Sequence, residues 1–129
     1  MKEKAKELIN ELESLGTKFE ALIISKGNLE EKEAELKSKM LGYEMNTKEI
    51  VNSQTDDNGK KLHSNEELRN IAVYKILSID EEYQSLKKQS EEISKDLTSL
   101  KYNTEVVKNK LSIARTQSDL VVALLGDYK

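Results

Sequence analysis

The chain has no cysteine, no proline and no tryptophan, and its 129 residues include one phenylalanine and one histidine. Without cysteine there are no disulfides, no thiolate zinc sites and no cysteine nucleophile, and a reducing, cytoplasmic setting is the simplest expectation. Without proline nothing interrupts a long helix by losing a backbone donor. With so few aromatics and 36% hydrophobic residues, there is little material for a thick globular core, so any core is narrow. No run approaches the roughly 18 apolar residues that a membrane span requires. The opening Met1-Lys2-Glu3-Lys4-Ala5-Lys6-Glu7 lacks the apolar stretch of a signal peptide. No membrane partner is expected.

Charge is what the chain has in excess, at 35% of residues against roughly 25% in ordinary soluble domains. The signs nearly cancel, 21 basic against 24 acidic for a net charge of -3. There is no global pull toward a polyanion, so any nucleic-acid contact must come from local patches.

Apolar residues from Met1 to Met40 alternate steps of three and four, the seam of a coiled coil. Leu8, Leu15, Leu22, Leu29 and Leu36 fall every seventh residue at d, and Leu12, Phe19, Lys26, Glu33 and Met40 fall at a. The two charged a residues must pair or sit at a wet edge. Gly16 and Gly27 each cost about 1 kcal/mol in a helix interior, and a kink near Gly27 is plausible, but the seven-residue phase runs through it without a slip. A first helix over 2–41 follows, ended by Gly42.

Residues 42–63 read as a short β-hairpin or loop around the turn Asp56-Asp57-Asn58-Gly59, with Glu49-Ile50-Val51 and Lys61-Leu62-His63 as β-capable flanks. Ser64-Asn65-Glu66-Glu67 has the form of a capping box with Ser64 as the cap. A long second helix over 64–125 follows, with Gly126 closing it. Its seam places Ile79, Leu86, Ile93, Leu100, Val107, Ala114 and Val121 at d, and Tyr83, Ser90, Leu97, Thr104, Leu111, Ser118 and Leu125 at a. The expected fold is all-α: one domain over 1–129, a long antiparallel helical hairpin, or coiled coil, that oligomerises.

Oligomerisation follows from unequal lengths. A first helix of about 40 residues covers only a similar length of a second of about 62 at 1.5 Å per residue, leaving residues 105–125 unpaired. That overhang carries Val107, Leu111, Val121, Leu124 and Leu125, an apolar area expected to join subunits.

Enzyme chemistry finds little to work with. His63 has neither a cysteine nor a second histidine to complete a metal site or a triad. Asp56 and Asp57 have nothing apolar nearby to perturb them, so turn chemistry accounts for them. A calcium-loop template centred on Gly59 puts Gln54 and Asn65 where carboxylates belong. No catalytic residue, metal or cofactor is expected. Two basic features remain. Lys37 and Lys39 flank the seam in Leu36-Lys37-Ser38-Lys39-Met40, where solvated flank competes with phosphate contact. Lys87, Lys101, Lys108 and Arg115 occupy e positions with Lys110 at g, and between Leu97 and Ser118 four basic residues face one acidic residue, Glu105. Pairing with acidic flanks or a neighbouring subunit competes there with DNA contact.

The stretch Leu36 to Met40, followed by a polar turn, a capped start and a long helix, resembles the UvsY-type recombination mediators of T-even phages. Asn58-Gly59-Lys60-Lys61-Leu62-His63-Ser64-Asn65-Glu66-Glu67-Leu68-Arg69, followed by Asp80-Glu81-Glu82-Tyr83, is similar to the pattern of small phage-encoded proteins. The resemblance spans about residues 30–120. It implies a cytoplasmic protein of a phage-infected or bacterial cell that binds single-stranded DNA as an oligomer, weakens the hold of single-strand-binding protein and helps load a recombinase. Carried over by position, it assigns DNA contact to Lys37 and Lys39. Lys39 stands where an arginine is usual, which keeps the charge and loses the planar fork, and the aromatic neighbourhood of that motif is reduced to Tyr43. A coiled-coil scaffold or prefoldin-like holdase with no nucleic-acid role fits the two-helix pattern as well, although a prefoldin hairpin has arms of similar length.

Overall fold

The computed structural model describes residues 2–126, so Met1 of the expected seam lies outside the described residues. The described residues form three helices, α1 (Lys2–Ser53), α2 (Glu66–Ile79) and α3 (Glu81–Gly126). The all-α expectation is met by long helices packed together. No described helix is long and apolar enough to cross a membrane. Two compact units can be distinguished, one formed by Met1–Glu30 with Asp96–Lys129 and the other by Glu31–Lys95.

In the first unit, Leu8 on α1 is buried, and Leu12, Leu15, Phe19, Leu22 and Leu29 are half-buried. On α3, Leu97, Thr104, Val107, Leu111 and Ala114 are buried, and Leu100, Ser118, Val121 and Leu125 are half-buried. Every one of these is an expected a or d residue. The two stretches form one compact unit, so the apolar face of each is covered within the chain. The overhang is therefore absent: Val107 and Leu111 are only 6% and 8% exposed. The reason is length, since α1 has 52 residues and α3 has 46, and the arms nearly match.

The second unit shows why α1 is so long. The three-and-four stepping continues past Met40 through Tyr43, Thr47 and Val51, and Val51 is 1% exposed. Thr47 donates its hydroxyl hydrogen to the Tyr43 carbonyl at 2.8 Å, so its polar group is satisfied inside the helix. Full burial of a valine contributes roughly 1.5 kcal/mol or more, enough to offset the roughly 1 kcal/mol cost of a helical glycine. The helix thus runs through Gly42, and Glu49-Ile50-Val51 is helical, not β.

The connection is correspondingly short, residues 54–65, and the expected hairpin reduces to one antiparallel bridge between Thr55 and Lys61. The turn itself is where the sequence places it. Asp56 Oδ1 accepts from the backbone N–H groups of Asn58 and Lys60, both at 2.9 Å. Gly59 takes φ +78°, a conformation that costs a glycine little. His63 Nε2 lies 2.9 Å from Gln54 Oε1, closing the loop on the end of α1.

α2 starts one residue later than the capping box suggested. Asn65, not Ser64, is the cap, its Oδ1 accepting from Leu68 N–H at 2.8 Å. The expected long second helix is in fact two helices. Asp80 takes an extended conformation (φ -76°, ψ 111°), and its Oδ1 accepts from Tyr83 N–H at 3.0 Å, the bond of a helix N-cap. Gln84 donates its side-chain amide to the Leu77 carbonyl at 3.0 Å, which also accepts from Asp80 N–H at 3.3 Å, so the end of α2 is tied to the start of α3. The break shifts the helical phase, so α2 buries Val73 and Leu77 while Ile79, an expected d residue, is 82% exposed. The core here is Val51, Val73, Leu77 and Tyr83, with Met40, Tyr43, Ala72 and Ile76 packed against it.

Asp80→Ala is expected to cost about 1 kcal/mol, the usual loss on removing an N-cap acceptor, and Asp80→Asn, which keeps that acceptor, most of it not. Urea denaturation of the two variants checks this; equal losses would mean that the bond to Tyr83 is not what matters.

Within this unit Glu33 of α1 meets Ser94 of α3, and Glu44 meets Tyr83. Moving up α1 is thus moving down α3, the antiparallel sense expected of the hairpin.

Candidate functional site

The charged a positions explain one of the basic features. Glu33 is held from two sides, accepting from Ser94 Oγ at 3.2 Å and from Lys37 Nζ at 3.3 Å, a pair four residues apart on one helix. Lys37, an expected DNA contact, is thus engaged in offsetting a half-buried carboxylate at the seam. Lys26, the other charged a residue, lies 3.8 Å from Glu30. Both charged a residues are paired, one of the two outcomes the sequence allowed.

Lys39 makes no ion pair with a described residue and borders an open hollow of about 760 Å³, together with Tyr43, Glu81 and Glu82. Gly42 also lines this hollow. The Tyr43 hydroxyl donates to Glu82, and the Tyr83 hydroxyl donates to Glu44 Oε1 at 2.7 Å. Each carboxylate holds its phenol protonated. For Tyr83 the hydrogen bond to Glu44, aided by desolvation, pushes the pKa up to about 12, and for Tyr43 the bond to Glu82 acts in the same direction. Neither hydroxyl gives up its proton near neutrality. The hollow brings Lys39 beside two carboxylates, so a phosphate there would meet Glu81 and Glu82 as well as the ammonium.

The second basic feature is disposed differently. Lys101, Lys108 and Arg115 are exposed and lie along one edge of α3, seven residues apart. At 1.5 Å per residue the row has a cation about every 10.5 Å. None of the three pairs with a described acidic residue within 4.0 Å; the ion pairs among described residues are Lys4–Glu7, Lys26–Glu30 and Lys37–Glu33. Glu105, four residues after Lys101 and three before Lys108, is likewise unpaired. Lys110 is exposed but occupies the opposite flank of the seam, off this row. Lys87 lies in the other compact unit.

Of the expected oligomerisation residues, Val107 and Leu111 are consumed by the intrachain seam, Val121 and Leu125 are half-buried, and Leu124 is exposed. The sequence reading missed the Tyr43–Glu82 and Tyr83–Glu44 pairs. The available signal was the stepping from Met40 to Tyr43, Thr47 and Val51, which puts Tyr43 beside the seam once Gly42 is allowed inside the helix. Asp80-Glu81-Glu82-Tyr83, an Asp followed by two acidic first-turn residues, was the cue for a second helix start.

Compared with known proteins, the chain matches no family model, no curated protein and no solved structure.

Proposed function

We propose that this chain is a non-catalytic accessory protein of the kind the recombination-mediator resemblance implies, but one that holds single-stranded DNA mainly along the Lys101, Lys108 and Arg115 edge of α3, residues to which the resemblance itself assigns no contact. The observation that carries this reading is the row itself: three exposed cations at heptad spacing, unmatched by carboxylates, on a helix whose inner face is fully used in holding the chain together. A polyanion is the ligand such a row attracts without needing a pocket. Because the whole chain is net negative, affinity per subunit is low, and several copies on one strand supply the rest. An assembly of this kind organises the strand, loosens single-strand-binding protein and helps a recombinase to load, with no bond made or broken. Lys37 and Lys39 take a smaller share, the first already paired with Glu33 and the second beside Glu81 and Glu82.

The test is fluorescence anisotropy of a labelled oligonucleotide across a salt series. Three phosphate contacts give a slope of log K on log salt of about -2, at about -0.7 per contact on a single strand. Lys101→Gln, Lys108→Gln and Arg115→Gln together are expected to remove most of the slope while the circular dichroism stays unchanged, and Lys37→Ala with Lys39→Ala to weaken binding less. No binding at low salt would overturn the reading. A coiled-coil scaffold or holdase would then stand in its place, favoured by the exposed apolar residues of α2 and α3 and no longer opposed by unequal helices.

A further inference from the structure

α3 has a second apolar stripe on the side away from its seam. Tyr102, Val106, Asn109, Ile113, Thr116 and Leu120 follow one another at alternating steps of four and three, the spacing of a coiled-coil face. They lie about 150° around the helix from the seam residues, at 100° per residue. Tyr102 is 70% exposed, Ile113 58% and Leu120 63%, and Val106 is half-buried. Isolated exposed apolar residues are ordinary, but a heptad-spaced row over about 27 Å is a seam that lacks a partner. Thr116 donates its hydroxyl hydrogen to the Ser112 carbonyl at 3.0 Å, so it needs no water to satisfy it.

The charges beside the stripe indicate what covers it. With Val106, Ile113 and Leu120 as a residues of this second seam, Tyr102, Asn109 and Thr116 are its d residues. Glu105, Ser112 and Asp119 then fall at g, and Asn103, Lys110 and Gln117 at e. In a parallel pair of helices each g residue faces the partner's e residue five positions on. Glu105 therefore faces the partner's Lys110, and symmetry makes this contact twice. An antiparallel pair centred on Ile113 would instead bring Glu105 toward Asp119, two like charges. Neither Glu105 nor Lys110 has an ion-pair partner among the described residues, although Glu105 lies one turn from both Lys101 and Lys108.

We propose that a second copy of this chain covers the outer face of α3, parallel and in register along residues 102–120, with Glu105 of each copy against Lys110 of the other. β-branched Val106 and Ile113 at a suit two parallel strands, and in register Asn109, at d, meets its own counterpart across the axis. The basic row of Lys101, Lys108 and Arg115 lies on a different edge of α3 and stays open. The dimer takes from the DNA reading only the expectation of more than one copy, and it is measured without DNA, so either can fail alone.

Sedimentation equilibrium of the full chain tests it. The mass is expected to rise from 14.7 kDa toward twice that value as concentration is raised about a thousandfold. Ile113→Asp removes the rise without loss of helix content, because that side chain is exposed in the single chain. Glu105→Lys and Lys110→Glu each weaken association about tenfold, and the two together restore it. The absence of cysteine allows a polarity test. Leu120→Cys cross-links copies under mild oxidation when position 120 meets position 120. A chain monomeric at every concentration, or a dimer untouched by Ile113→Asp, overturns the proposal. Cross-linking through Ile113→Cys but not Leu120→Cys shows an antiparallel pair and overturns it too.

Discussion

Leu111→Ala is expected to destabilise the folded chain by about 3 kcal/mol, within the roughly 2–5 kcal/mol typical of a buried leucine truncated to alanine, and by the same amount at every protein concentration. Leu111 is 8% exposed, with Val107 one turn before it and Ala114 one turn after, both buried on the same face. A narrow two-helix seam has few neighbours able to move into the space, so the cavity term stays with the lost transfer energy. The concentration dependence is the sharper part. A residue at a subunit interface loses its stabilisation on dilution, by mass action; a residue in a seam within one chain does not. Urea midpoints of the native chain and the variant, compared at two concentrations about a hundredfold apart, separate the two cases. A gap between native and variant midpoints that widens with concentration would return Leu111 to the interface that the sequence alone suggested for it.

That suggestion failed for an identifiable reason. The periodicity was legible almost throughout: from Tyr83 on, each a and d residue of α3 is buried or half-buried, and so is each from Ala5 to Met40 on α1. What could not be read was where the helices end, because Gly42 and Asp80 act by context. Gly42 is a common stop signal, yet Tyr43, Thr47 and Val51 keep the inner face occupied, and the helix goes on to Ser53. Asp80 sits in a phase that looks continuous, yet its carboxylate can cap, and the helix stops there. The two errors compounded. Ending α1 early and merging α2 with α3 manufactured an overhang and, with it, a reason to put Val107 and Leu111 between subunits. The basic residues were all visible in the sequence, but their partners were not. Lys37 and Glu33 are four apart and pair; Glu105 is four from Lys101 and does not.

α3 consequently does three things with three faces. Its a and d residues close the fold, its e edge presents cations, and its outer face presents an apolar heptad stripe. This division explains how a chain with so few aromatics can fold and still keep most of its surface free: each heptad of α3 contributes only its a and d residues to the interior, several of them as small as Thr104 and Ala114.

α1 makes the complementary case, with stability left unused. Gly16, Gly27 and Gly42 all lie inside it, and a Cβ added at any of the three meets nothing within 4 Å. None has a positive φ; Gly59, in the turn, does. Changing all three helical glycines to alanine is expected to raise stability by about 2–3 kcal/mol, near 1 kcal/mol for each. The positions are about 16 and 22 Å apart along the helix, beyond the roughly 7–10 Å within which substitutions couple, so the gains should add. Gly59→Ala should do the opposite and lose about 1 kcal/mol, since alanine is strained at φ +78°. Thermal or urea unfolding of the single variants and the triple measures this directly. Gly27→Ala is the informative member: a gain fits an α1 that is helical through residue 27, whereas a loss would mean that the chain needs glycine's freedom there and that the helix bends at that point.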